Sequence, residues 1–137
     1  MRFPITIEED GGVYIASAPD LPGVYDQGDS IEEAVARLRD AAVVMIGEMI
    51  EDGDAIPDPS PVNSDRSILI PSLVWAKVLV YRAMRAKEWR RADLQRAMGV
   101  DKTVISRLLN VHHASRMDQI DQALAALGVD LDIRTAA

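Results

Sequence analysis

Cysteine is absent from the 137-residue chain, which excludes a disulfide framework, a thiolate nucleophile and a Cys-based zinc site. Histidine is almost as scarce. His112 and His113 stand side by side rather than four residues apart, with no third histidine near, so the pair is read as a turn or a phosphate-facing element instead of a zinc site. No charged start followed by an apolar run opens the chain at Met1-Arg2-Phe3-Pro4, so a secretory leader is not expected. The longest near-apolar stretch, Ala41 to Ile46, is far too short to cross a bilayer. A Gly-rich phosphate loop and a nucleophile elbow are both missing. These absences lead to the expectation of a cytoplasmic protein that is not an enzyme and uses no cofactor or metal.

What is present is ordinary in amount and uneven in distribution. Apolar residues make up 48% and charged residues 27%, the balance of a globular chain, and the length suits one domain or two very small ones. The formal charge of −7 conceals two opposite halves. Residues 1–70 hold 4 basic and 15 acidic residues, a net of −11, whereas residues 71–137 hold 11 basic and 7 acidic, a net of +4. Within 82–116, nine Arg or Lys face Glu88, Asp93 and Asp101, a net of +6. Two surfaces for two kinds of partner follow from that asymmetry; two merely solvated faces are the blander alternative.

Alternation over Arg2 to Glu8 predicts a strand, with Phe3, Ile5 and Ile7 on one face. The turn cluster Glu9-Asp10-Gly11-Gly12 leads into a second strand from Val13, and the two read as a hairpin. Val24-Tyr25 begins a short third strand. Ser30-Ile31-Glu32-Glu33 is a capping box, and apolar residues at Ile31, Ala34, Val35, Leu38, Ala41, Ala42, Met45 and Met49 predict a helix of about 22 residues ended by Gly53. Val43, Val44 and Ile46 are expected to point away from that stripe, toward a second packing partner or the chain's own later strand. Prolines at 57, 59 and 61 mark 54–65 as an extended connector, and Arg66 to Ile70 as a strand returning to the first sheet.

Beyond Pro71 the pattern is helical. Ser72 opens a helix with Leu73, Ala76, Val80 and Ala83 inside; Arg91 to Met98 is a short helix stopped by Gly99. Asp101 caps a helix reaching about Asn110, and Ser115 with Asp118 caps another with Met117, Ile120, Leu124 and Leu127 inside, stopped by Gly128. Val129, Leu131 and Ile133 alternate with polar residues as a short terminal strand, which needs a partner; the same strand of a second subunit is the economical one, making Leu131 and Ile133 dimer candidates. The expected fold class is α+β: an amino-terminal β-β-(β)-α-β domain over 1–70, containing the 54–65 connector, and an all-α domain with a short terminal strand over 71–137.

Arg91 to Asn110 fits a helix-turn-helix window. Leu94, Met98, Val100, Ile105 and Leu108 fall at the packing positions and Gly99 in the turn, where positive φ is needed. Gln95 stands where a small residue usually lets the helices approach, and Arg90 where Ser or Thr usually caps. In such a unit Lys102, Thr103, Ser106 and Arg107 face base edges, while Arg91 and Arg96 hold backbone phosphates; solubility charges on a helical bundle are the alternative. Asp20, Asp26 and Asp29 would in principle hold magnesium, but loop carboxylates are usually just solvated.

The residues also carry a family likeness. The opening Arg2-Phe3-Pro4-Ile5, Asp20-Leu21-Pro22-Gly23, Gln27-Gly28-Asp29-Ser30 with Glu33-Ala34, and Ile56-Pro57-Asp58-Pro59-Ser60-Pro61 form one set. Gly99, Arg107-Leu108, Asn110-Val111-His112-His113-Ala114 and Ala126-Leu127-Gly128 form the other. Together they resemble the HicB-type antitoxins, in the helix-turn-helix variant. That resemblance implies an amino-terminal domain similar to a partial ribonuclease H fold without catalytic carboxylates. It would bind and inhibit a small, basic, mRNA-cleaving HicA-type toxin. The resemblance also implies a carboxy-terminal domain by which the dimer binds operator DNA and represses its own operon. Asp20, Tyr25, Asp26 and Asp29 are the candidates for toxin contact. Two other readings remain open: a stand-alone repressor whose amino-terminal domain senses a ligand, and a weak nuclease using the loop carboxylates.

Overall fold

The computed structural model describes residues 1–62 and 66–136. It divides into two compact units, Met1–Trp75 and Ala76–Ala137, with the boundary inside a helix.

Unit 1 opens with β1 (Arg2–Pro4) and β2 (Thr6–Asp10), followed by β3 (Val13–Ser17), β4 (Tyr25–Gly28), the helix α1 (Ile31–Asp52) and β5 (Ser67–Leu69). The single opening strand expected from alternation changes partner midway. β1 pairs antiparallel with β5, with Phe3 opposite Ile68, whereas β2 pairs with β3 in a three-stranded antiparallel sheet of order β2-β3-β4. The switch falls at Ile5, whose N–H still donates to Arg66 O at 3.3 Å.

Ser30 caps α1, its Oγ accepting from Glu33 N at 3.1 Å, and Gly53 ends it in the left-handed conformation at φ 75°. The buried row is Ala34, Leu38, Ala42, Ile46 and Ile50. Ile46 is therefore core, contrary to the outward position expected for it, because the i, i+4 row of a helix passes straight through it. Val43 is half-buried, and Val44 is the one of the three that faces outward, 45% exposed. α1 lies across β3 and β4, and the end of β4 comes close: a Cβ on Gly28 would sit 2.7 Å from Ala34 N.

The proline-containing segment is a part of unit 1 instead of a free spacer. Ile56 is buried, and Ser60 donates to Asp20 through both its N–H (2.6 Å) and its Oγ (2.8 Å), which anchors a chain that has few donors of its own. Residues 63–65, the last of that segment, lie outside the described residues.

Four helices make up the rest: α2 (Ser72–Ala86), α3 (Arg91–Met98), α4 (Lys102–Leu108) and α5 (Met117–Ala126). α2 is buried more widely than one stripe, with Val74 through Val78, Val80, Tyr81 and Met84 all inside. Leu94, Ile105, Leu108, Ile120, Leu124 and Leu127 complete the unit 2 core. Met117, expected inside, is 39% exposed, since α5 begins there and its first turn projects past that core. Among the described residues no strand is assigned beyond Gly128. A strand exists through its hydrogen-bonded neighbour, and none of the described residues pairs with 129–136.

Candidate functional site

The local chemistry of 90–108 builds two short helices around a glycine turn. Arg90 has no side-chain acceptor to offer at the N-cap, and the Asp93 carboxylate replaces it, accepting from Arg90 N at 2.7 Å and pairing with Arg96. Gly99 follows at φ 67°, where a side chain would be strained. Asp101 then caps α4, its Oδ1 accepting from Thr103 N (2.9 Å) and Val104 N (3.2 Å). α3 packs against both α4 and α5 through Leu94, Ile105 and their neighbours.

With Ile105 and Leu108 turned inward, Lys102, Thr103, Ser106 and Arg107 all fall on the exposed arc of α4. Arg91 and Arg96 are exposed on α3. Gln95 is half-buried and lines a hollow of about 300 Å³ between the two helices, together with Arg91, Ala92, Lys102, Ile105 and Ser106. The larger side chain at this position thus borders a gap lined by cations and hydrogen-bonding groups.

Beneath the end of α4 lies a feature that sequence reasoning missed. Lys77, on α2, is completely buried. Its Nζ donates to Arg107 O at 2.8 Å, Asn110 O at 2.7 Å and Ser115 Oγ at 2.8 Å, using all three ammonium protons. Burial pulls its pKa down from the usual 10.5 to about 8. Ser115 is consequently not the cap of α5, as its sequence position suggested. Arg116 occupies that place with no side-chain cap bond, while Ser115 Oγ serves Lys77, lies 3.3 Å from Arg107 O and contacts His113 Nδ1 at 3.1 Å.

In unit 1 the candidate residues surround the loop between β3 and β4. Asp20 is half-buried and engaged with Ser60; Asp26 is half-buried and accepts from Gln27 N at 2.8 Å; Asp29 is exposed. Tyr25 is 67% exposed and borders a shallow apolar hollow of about 230 Å³ lined also by Ala18, Pro19, Leu21 and Val24. Among the described residues no three His, Asp or Glu side chains group to hold a metal ion. The arrangement offers an exposed aromatic ring at the start of β4, in a segment that also carries Asp20, Asp26 and Asp29.

A family model described as HicB_like antitoxin of bacterial toxin-antitoxin system matches residues 3–122. Antitoxin HicB of Escherichia coli strain K12 is 38% identical over 136 residues, covering 97% of this chain and 98% of that protein. Antitoxin HicB 1 of Photorhabdus laumondii is 34% identical over 135 residues, covering 97% and 86%. The chain belongs to the HicB-like antitoxin family. A crystal structure of the amino-terminal domain of the Burkholderia pseudomallei antitoxin HicB is 36% identical, covers 44% of this chain and 74% of that one, and superposes with a TM-score of 0.41.

The family match runs from β1 into α5 and so takes in both units. The residues that resembled HicB-type antitoxins in sequence occupy structurally demanding places. Gly28 is the close approach to α1, Gly99 the left-handed turn, and Asn110 an acceptor of Lys77. Lys77 itself carried no usable signal, because a lone lysine at a helical position is nearly always solvated. No described helix is long and apolar enough to cross a membrane.

Proposed function

We propose that this HicB-like antitoxin neutralises a small basic HicA-type ribonuclease toxin through unit 1. As a homodimer it would bind operator DNA through unit 2 and repress its own operon. It acts by binding, in the cytoplasm, and performs no catalysis. The observation that carries the DNA half is the α3–Gly99–α4 arrangement, with Lys102, Thr103, Ser106 and Arg107 on one exposed arc and Arg91 and Arg96 exposed on α3. An α4 presented in this way enters the major groove, where Lys and Arg donate to guanine edges and the α3 arginines meet phosphates.

Charge supports the toxin half. The −11 carried by residues 1–70 complements a cationic RNA-binding protein, speeding encounter and disfavouring wrong partners. Exposed Tyr25 supplies an aromatic anchor for an interface, and Asp20, Asp26 and Asp29, close to it in sequence, add negative charge to the same segment. Dimerisation is assigned to the tail: Ile133 is 74% exposed and Leu131 half-buried, alternating with Asp130, Asp132 and Arg134, and antiparallel pairing with a second copy would supply the missing hydrogen bonds. Two α4 helices would then address half-sites about one DNA turn apart.

The test is a pair of titrations on the full chain. Lys102→Ala and Arg107→Ala are each expected to weaken binding to the duplex upstream of the gene by about tenfold, the scale of one good base contact, with toxin inhibition intact. Tyr25→Ala is expected to do the reverse. Unaltered operator affinity in both α4 variants at physiological salt would refute the assignment of α4.

A further inference from the structure

The buried Lys77 goes beyond the general picture of a basic helix-turn-helix face, and the inference from it rests on the DNA-binding reading of unit 2. An ammonium taken out of water is costly unless every proton is placed, and an apolar side chain would fill the same volume without that cost. Here every proton is placed, and all three acceptors belong to one stretch of chain, residues 107–115.

That stretch joins the last turn of α4 to the start of α5, and its own hydrogen bonds are few beside those of a helix. Asn110 N donates to Arg107 O at 3.2 Å and His113 N to Asn110 O at 3.1 Å. Lys77 adds a charged donor to each of these carbonyls, and Arg107 O also accepts from Ser115 Oγ at 3.3 Å. Ser115, from the far end of the turn, completes the set. One side chain on α2 therefore fixes both ends and the middle of the turn. A cation there also faces the negative end of the α4 dipole.

We propose that Lys77 is a positioning residue for DNA recognition: by holding Arg107 O, Asn110 O and Ser115 Oγ it sets where α4 ends and how Arg107 and the exposed His112 are presented to the duplex. Lys77 touches no DNA itself. Its effect passes through the backbone of Arg107, whose side chain is exposed, and through the turn that carries His112. Lys102 and Thr103 lie at the other end of α4, where Asp101 and Gly99 determine the geometry, so they are insulated from it.

The experiment uses the full chain with Lys77→Met, which keeps the apolar stem and removes the ammonium. Two readouts separate positioning from simple stability. Amide hydrogen exchange should quicken over residues 109–115 while α2, α3 and α5 stay protected. Operator affinity should fall about tenfold, and Arg107→Ala should then cost much less in the Lys77→Met background than alone, while Lys102→Ala costs the same in both.

Exchange that is unchanged, or that rises uniformly over unit 2, overturns the proposal. So do fully additive costs for Lys77→Met and Arg107→Ala. Should Lys77→Met fail to fold, Ser115→Ala removes one of the three acceptors and is read in the same way, with a smaller shift and the same coupling to Arg107. A wild-type chain with no affinity for the duplex refutes the DNA-binding reading itself. Wild-type affinity with additive costs refutes only the role of Lys77.

Discussion

Gly28→Ala probes the packing that places Tyr25 and Asp26. Gly28 is buried at the end of β4, and a methyl group there would lie 2.7 Å from Ala34 N, 2.9 Å from Glu33 Cβ and 3.0 Å from Glu33 C. Two of these three neighbours are backbone of the first turn of α1, which cannot swing aside like a side chain. That turn is held by the Ser30 cap, by the fully buried Ala34 and by Arg37 donating to Gln27 O at 3.2 Å. Overpacking of this kind costs about 1–3 kcal/mol. Replacing glycine also narrows the unfolded ensemble, which returns about 0.4–1 kcal/mol. The net expectation is a loss of about 1–2 kcal/mol in unit 1, or a fall of roughly 5–15 °C in its midpoint for a domain of this size.

Trp75 is buried in unit 1, 6.1 Å from Phe3 ring to ring, so its fluorescence in a Trp89→Phe background reports the loss of that contact with β1. Because the strain pushes β4 away from α1, affinity for the toxin should fall as well, with operator affinity untouched. A midpoint equal to or above that of the parent would show that the β4–α1 contact yields freely, and would refute the steric argument.

Other consequences are separable. Asp101→Ala removes the acceptor for Thr103 N and Val104 N, and should cost unit 2 about 1 kcal/mol in urea unfolding and loosen the start of α4. Lys77 gives unit 2 a distinctive alkaline behaviour. Below about pH 8 it is charged both folded and unfolded and the burial penalty is present in full. Between about 8 and 10.5 the unfolded chain keeps a proton that the folded one releases, so stability relative to Lys77→Met should rise with pH. The neutral amine keeps two donors for the carbonyls and takes the Ser115 hydroxyl proton in place of the long bond to Arg107 O, so the cluster stays bonded. A difference that is flat or falling over that range contradicts the argument. If the tail pairs two copies, deleting residues 131–137 should lower the mass read by light scattering, and an unchanged mass would reject strand pairing through the tail.

Much of the fold was legible because local signals and tertiary structure agree. Ser30 and Gly53 bound α1 at the positions their chemistry dictates, and Asp101 and Gly99 do the same around α4. The α4 face was equally readable, since the inward places of Ile105 and Leu108 leave only one arc for the polar residues. What escaped depends on contacts distant in sequence. Ser115 looks like a cap until Lys77, 38 residues earlier, claims its hydroxyl. Asp20 looks like a solvated loop carboxylate until Ser60, 40 residues on, closes against it. Ile46 is hidden from the sequence pattern for a geometric reason: Met45 and Met49 continue an apolar row equally well, and only the packing of α1 selects Ala42, Ile46 and Ile50 instead.

The central claim is that one chain serves two partners from two units, and the most direct test is growth. The small reading frame beside this gene would be expressed alone, with the wild-type chain, and with the double variant Lys102→Ala/Arg107→Ala. Arrest by the neighbour alone, and rescue by both forms of the antitoxin, is the predicted result; a reporter under the operon's promoter should be silenced only by the wild type. Rescue lost in the double variant would contradict the division of labour. A harmless neighbour, or arrest that the wild-type chain does not relieve, would contradict neutralisation of that toxin and leave a repressor whose first domain serves another ligand.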